Sequence, residues 1–275
     1  MKALVICPDP PAALPFLARK GPLALMPALG PSLLQHALHS LAEAGAREVV
    51  VLTSDRGEQI RVALGSGERW GLRIEVVVEP RELSLNEACR KYGADESGAR
   101  SANRHPDAPD FAGKVNPLSW LEGLQAALPL AHRHRVGVRE IAPEVWTGLR
   151  TQIEPGAKVV GPCWLGEDVR IGAGATVGPG SVVEDLVLID REAEVVDSWI
   201  GPHTYVGAMT HVNRSLAWGN QLLNCDSRSW VEVPDAFLLA DLAERPKRAV
   251  SGSLPGQLAD LFSAMRRLWR GLSRS

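Results

Sequence analysis

From residue 141 onward the chain repeats every six residues. Aliphatic or β-branched side chains stand at Ile141, Thr147, Ile153, Val159, Leu165, Ile171, Val177, Val183, Ile189 and Val195. One residue is then dropped, and the series resumes at Ile200, Val206, Val212 and Trp218. Gly follows the anchor at 148, 166, 172, 178, 201, 207 and 219. Small residues such as Cys163, Ala175, Ser181 and Ala193 stand two positions before it. A period of six is neither helical nor simple alternation. It describes short strands joined by tight corners, with the anchor inside and glycine easing the corner. Three strands close one coil, and coils stacked at about 4.8 Å bury a continuous ladder of anchors. Earlier in the chain the pattern changes. Residues 2–7, 48–53 and 73–79 read as buried strands. Residues 32–44, capped by Ser32 and stopped by Gly45, and 58–64 read as helices, and a further helix follows at 120–128. Alternating strands and helices predict a parallel sheet with helices packed on it. Near the end, Leu254, Leu258, Leu261, Phe262, Met265, Leu268, Trp269 and Leu272 recur at three- and four-residue steps, an amphipathic helix. The spacing therefore divides the chain into 1–135, 136–243 and 244–275.

Composition narrows the function classes. Hydrophobic residues make up 45% and charged residues 23% of the 275 positions, as in soluble globular proteins. A net charge of −2 gives no electrostatic reason to expect nucleic acid as a partner. No apolar run approaches the roughly 20 residues of a membrane span. The first strand is too short for a signal-peptide core. Cys7, Cys89, Cys163 and Cys225 lie far apart, which argues against a zinc site or disulfide framework and fits the cytoplasm.

The first region resembles the start of sugar-1-phosphate nucleotidyltransferases, the family that makes nucleotide-sugars. Residues 22–34 (PLALMPALGPSLL) resemble that family's P-K-A-L-L-P-V-x-G-x-P-L-L segment. LAEAGAREVVVLT, EQIRVAL and GERWGLRIEVVVEP follow in the family's order and spacing. The six-residue pattern likewise resembles hexapeptide-repeat proteins, and an appended repeat region is familiar behind such transferases. The resemblance implies an α/β Rossmann-like nucleotidyltransferase-type domain, then a left-handed parallel β-helix, then the C-terminal amphipathic helix. The left hand is implied by that resemblance alone, since parallel crossovers are otherwise nearly always right-handed.

The departures from the family carry the functional expectation. Where the family has a Gly-rich turn whose N–H groups hold phosphates, this chain has Pro8-Asp9-Pro10-Pro11. Proline offers no N–H. The phosphate-contacting Lys is replaced by Leu23, and Leu85-Asn86-Glu87-Ala88 stands where the family reads the base. Lys114 takes the place of a metal-ligating Asp, ahead of Val115-Asn116-Pro117. A lysine cannot ligate magnesium. The sugar-binding half of the domain is missing, and residues 93–113 read as a disordered or surface loop in its place. Two readings follow: an active transferase with a rewritten site, or a relic retained for scaffolding, regulation or subunit contact. The lost contacts favour the relic, for which no cofactor is expected.

A third reading assigns chemistry to the repeat region. Acyltransferases of that fold use a histidine base beside acyl-CoA, and His203 and His211 are the candidates. Acyl-CoA, or magnesium with nucleotide, enters only under these alternatives. The register turns Trp146, Trp164, Val182, Trp199 and Ala217 outward as one face. Glu140, Lys158, Thr176, Glu194 and His211 form a second, and Gln152, Arg170, Leu188, Tyr205 and Leu223 a third. Three exposed indoles would make a large apolar patch, so the first face should be an interface. The expected covers are the C-terminal helix, through Leu261, Phe262 and Trp269, or a neighbouring subunit in a trimer or higher homo-oligomer. The arginines of that helix also suit a protein partner or an anionic membrane surface.

Overall fold

The computed structural model describes residues 2–9, 12–93, 99–102, 115–130 and 137–243. The first region is an α/β unit. Strand β1 (Lys2–Ile6) runs out to helix α1 (Pro15–Lys20), and helix α2 (Leu33–Glu43) follows. Ser32 caps α2: its hydroxyl accepts from the Gln35 N–H, and the Gln35 side chain accepts from the Ser32 N–H. Strand β2 (Glu48–Thr53), helix α3 (Gly57–Leu64), strand β3 (Arg73–Val78) and helix α4 (Leu85–Tyr92) come next. The sheet is parallel, in the order β3, β2, β1 and then β4 (Ala99–Ser101). Its two faces bury separate apolar clusters, one against α2 and α3 and one against α4. Residues 85–88, which stand where the family reads the base, begin a helix capped by Ser84. One expectation changes here. The span 93–113, expected to be a loop, contains β4. A three-residue strand reading Ala-Arg-Ser carries no periodic signal, and only pairing with β1 makes it a strand.

Helix α5 (Pro117–Ala127), capped by Asn116, precedes the strand-rich region. That region opens with β5 (Arg139–Ala142), antiparallel to β6 (Val145–Thr147). The chain then passes in turn through three sheets. The first circuit is β6, β7 (Gln152–Ile153) and β8 (Lys158–Val159); the second is β9 (Cys163–Leu165), β10 (Arg170–Ile171) and β11 (Thr176–Val177). The third is β12 (Ser181–Val183), β13 (Leu188–Ile189) and β14 (Glu194–Val196); the fourth is β15 (Trp199–Ile200), β16 (Thr204–Val206) and β17 (His211–Asn213). Each strand pairs in parallel with its counterpart one circuit on, as Trp146 with Trp164 and Arg170 with Leu188. Leu165, Ile171, Val177, Val183, Ile189, Val195, Ile200, Val206 and Val212 all lie in one buried ladder. A fifth circuit starts with β18 (Ser215–Trp218) and folds back through antiparallel β19 (Gln221–Asn224) and β20 (Trp230–Glu232). Strand β21 (Leu239–Asp241) runs antiparallel along β16.

The expected register fails at both ends. Ile141 is not an anchor. It lies on β5, 45% exposed, so Glu140 belongs beside Trp146 and not beside Lys158. At the far end Ile200 pairs with Ala217, not Trp218, because a second residue is dropped. The two drops fall at the corners holding Asp197 and Arg214, which turn in one residue less than the Gly-Pro corners at 161–162 and 178–179; their left-handed backbone (φ 45° and 44°) is shared with Asp168, Leu186 and His203 at corners that keep the six-residue spacing, so it does not by itself shorten the corner. Ala217 therefore faces inward, Leu216 joins the outward row of Trp199, and Leu223 pairs with Leu216 on β19.

Candidate functional site

In parallel α/β sheets, ligands bind beyond the carboxyl ends of the strands, where the strand order reverses. Here that point lies between β1 and β4. The chain leaving β1 continues through Pro8 to Asp9, whose N–H donates to Glu82 Oε2 at 2.8 Å. The Ser54 hydroxyl donates to the Asp9 carboxylate. Glu79, 5% exposed, accepts twice from Lys91 Nζ, at 2.7 and 2.8 Å, and also from the Tyr92 hydroxyl. The lysine and tyrosine bonds hold its carboxyl below the usual carboxylate range. Between Ile6, Cys7, Thr53, Ser54, Glu79 and Glu82 no water-sized sphere fits. Among the described residues, Lys91, Arg81 and Arg56 at this end are engaged. Arg81 pairs with Glu87 at 2.6 Å, and Arg56 binds Asp55 and the carbonyls of Ala18 and Gly21. The ends of β1 and β3 thus present the carboxylates of Asp9, Glu79 and Glu82. Pro10, Pro11 and Lys114 lie outside the described residues.

The segment matching the family's P-K-A-L-L-P-V-x-G-x-P-L-L run is held from the other side. Leu29 and Gly30 are both left-handed (φ 59° and 99°), and their N–H groups converge on one carboxylate. That carboxylate is Glu184, which accepts from Leu29 at 2.9 Å, from Gly30 at 2.7 Å and from Trp199 Nε1 at 3.1 Å. Glu184 is wholly buried, and burial with Asp185 nearby pushes its carboxyl up to about 7 against the pull of those three donors. Sequence reading missed it, although a signal existed. Positions 148, 166 and 201 of its row are glycine, and only 184 carries an acid.

Trp146 (7% exposed), Trp164 and Trp199 (both 0%) form a buried row with Val182 and Leu216. The cover comes from the same chain, through Leu14, Phe16, Leu17 and Met26 and through Trp120, Leu121 and Leu124 of α5. The expected covers are thereby corrected for these three tryptophans. The first region is already attached by α1 and α5, so its apolar side meets the indoles within the chain. Trp120 meets Trp199 edge-on at 6.0 Å, Trp218 meets Trp199 at 5.6 Å, and Gln125 Nε2 donates to the Gly180 carbonyl at 2.8 Å. Leu261, Phe262 and Trp269 lie outside the described residues.

The two histidines are not brought together. His203 occupies a left-handed corner before β16, where burial holds its imidazole pKa down. His211 lies on β17 in a different sheet, its side chain 70% exposed and Nδ1 2.9 Å from Glu194 Oε2. A cleft of about 310 Å³ separates the two regions, lined by Leu25, Pro27, Leu64, Arg69, Pro202 and Trp218 among others. Arg69 donates to the Ala63 carbonyl and stacks on Trp70 at 3.8 Å. The four cysteines are free and buried, and burial raises the thiol pKa of Cys7 and Cys163. Among the described residues no helix is long and apolar enough to cross a membrane.

No protein family's sequence profile matches the chain. It is 35% identical over 65 residues to glucose-1-phosphate thymidylyltransferase of Actinoplanes sp.. It is 30% identical over 90 residues to the low-salt glycan biosynthesis nucleotidyltransferase Agl11 of Haloferax volcanii. The matched segments cover 23% and 32% of this chain, and 22% and 25% of those proteins. The chain thus spans about a quarter of the length of the curated relatives it matches. Part of it is nucleotidyltransferase-like in sequence.

Proposed function

We propose that this chain is a nucleotidyltransferase-like protein without pyrophosphorylase activity. It serves as a structural or regulatory subunit in cytoplasmic nucleotide-sugar or envelope-polysaccharide metabolism. Residues 1–135 are the shortened transferase-like unit and 136–243 a left-handed parallel β-helix, while 244–275 lie outside the described residues. The three-sheet register supports the β-helix, and the partial matches support the metabolic setting.

The observation carrying the loss of activity is the carboxylate-filled end of the first sheet. Asp9 and Glu82 close the strand end by direct hydrogen bonding, and Glu79 lies buried beside them. A triphosphate placed there would meet these acids without a free cation among the described residues. Each like-charge pair at about 4 Å costs on the order of 1 kcal/mol in water, and more where water is excluded. Titration calorimetry with dTTP or UTP, with and without magnesium, tests this. No binding heat at about 1 mM nucleotide is expected. Magnesium-dependent binding in the micromolar range would restore the reading of an active transferase with a rewritten site.

A further inference from the structure

The strand stack is finished differently at its two ends. At the far end, antiparallel β19, β20 and β21 extend two of the three sheets. At the near end, among the described residues, only the sheet containing β6 is extended, by β5. Strands β7 and β8 are the outermost members of their sheets among the described residues. The interior ladder opens to solvent there. Ile153 is 37% exposed, whereas Ile171, Ile189 and Val206 in the same row are 0%, 1% and 0% exposed. Ile141, Leu149 and Val160 beside it are 45%, 43% and 44% exposed. An open strand edge over an exposed apolar core is a template for pairing, and repeat stacks need their ends covered.

We infer that this end docks on the same end of a second copy of the chain, around a two-fold axis passing through the β7 side. This end of the stack is complementary to itself. Strand β5 projects one strand beyond the first circuit over one side, while β7 and β8 leave that layer open over the other two. A two-fold axis through the β7 side exchanges the β5 and β8 sides. The β5 of each copy then lies in the open layer over β8 of its partner, at strand spacing, about 4.8 Å. The charges agree with this exchange. All four residues of β5 are exposed, and it carries Glu140, while β8 carries exposed Lys158. The docking sets these opposite charges side by side twice. It covers Ile141, Ile153 and Val160 in the same contact. Such an isologous pair is closed, because the far end is differently built.

Charge exchange tests it. Sedimentation of the full chain should give an even multiple of the chain mass. Lys158→Glu should weaken that association by at least about tenfold, as should Glu140→Lys, because each sets like charges together. The double variant Lys158→Glu with Glu140→Lys should restore it. Rescue by the swap would not arise from a side-on trimer, or from the C-terminal helix covering this end. A monomeric wild type, single variants of unchanged mass, or a double variant that stays dissociated would each overturn the proposal.

Discussion

Glu184 is the residue on which the two regions meet most directly. Its carboxylate is the acceptor for two backbone N–H groups and one indole N–H, the Leu29 and Trp199 bonds buried and the Gly30 bond partly so. Glu184→Ala leaves these donors without that acceptor, at about 1–3 kcal/mol for an unsatisfied buried group. The urea midpoint should fall accordingly. Glu184→Gln keeps an acceptor oxygen and loses the titration. The carboxyl is raised to about 7 in the folded chain, above its ordinary 4.5. Its contribution is therefore fully present below about 4.5 and is lost as pH rises through 7. Between pH 6 and 8 the wild type should lose about 1 kcal/mol relative to Glu184→Gln. A difference that stays flat across that range would mean the carboxyl is ionised throughout.

At the scale of elements, helix α5 positions the cover of the tryptophan row. Its start is fixed by Asn116 and Ser119. The Asn116 Oδ1 accepts from the Ser119 N–H at 3.0 Å, and Ser119 Oγ accepts from the Asn116 N–H at 2.9 Å. Pro117 at the first helical position needs no partner for an N–H it lacks. Asn116→Ala should cost about 1 kcal/mol in chemical denaturation, with no change in the cooperativity of unfolding. A loss below a few tenths of a kcal/mol would show that packing of Trp120, Leu121 and Leu124 alone sets the helix. The corners of the strand stack follow a second local rule. The Gly-Pro corners at 161–162 and 178–179 space the anchors by six, while the corners at Asp197 and Arg214, one and two circuits further on, space them by five. That difference decides whether Ala217 or Trp218 faces inward.

For the whole molecule, the apolar cluster under the tryptophan row contains residues from Leu14 to Cys225. The first region and the strand stack share this core, so calorimetry should record one unfolding transition. Trp199→Ala, which empties a fully buried site against Trp120 and Trp218, should cost about 3–5 kcal/mol and separate the transition into two. Two resolved transitions in the wild type would show that the regions fold independently. Much of this architecture is written locally. The anchors from Leu165 to Val195, the three long strands of the first sheet and the Ser32 cap are read from spacing and residue type, because each depends on neighbours a few positions away. The outward row of Trp146, Trp164 and Trp199 follows from the same alternation. Its cover does not, since residues 14–33 and α5 reach it only through the fold. The short β4, the second shortened corner, and the convergence of Leu29, Gly30 and Trp199 on Glu184 are likewise decided in space. They join positions from 15 to 155 residues apart or turn on one omitted corner residue, and no periodicity along the chain records either.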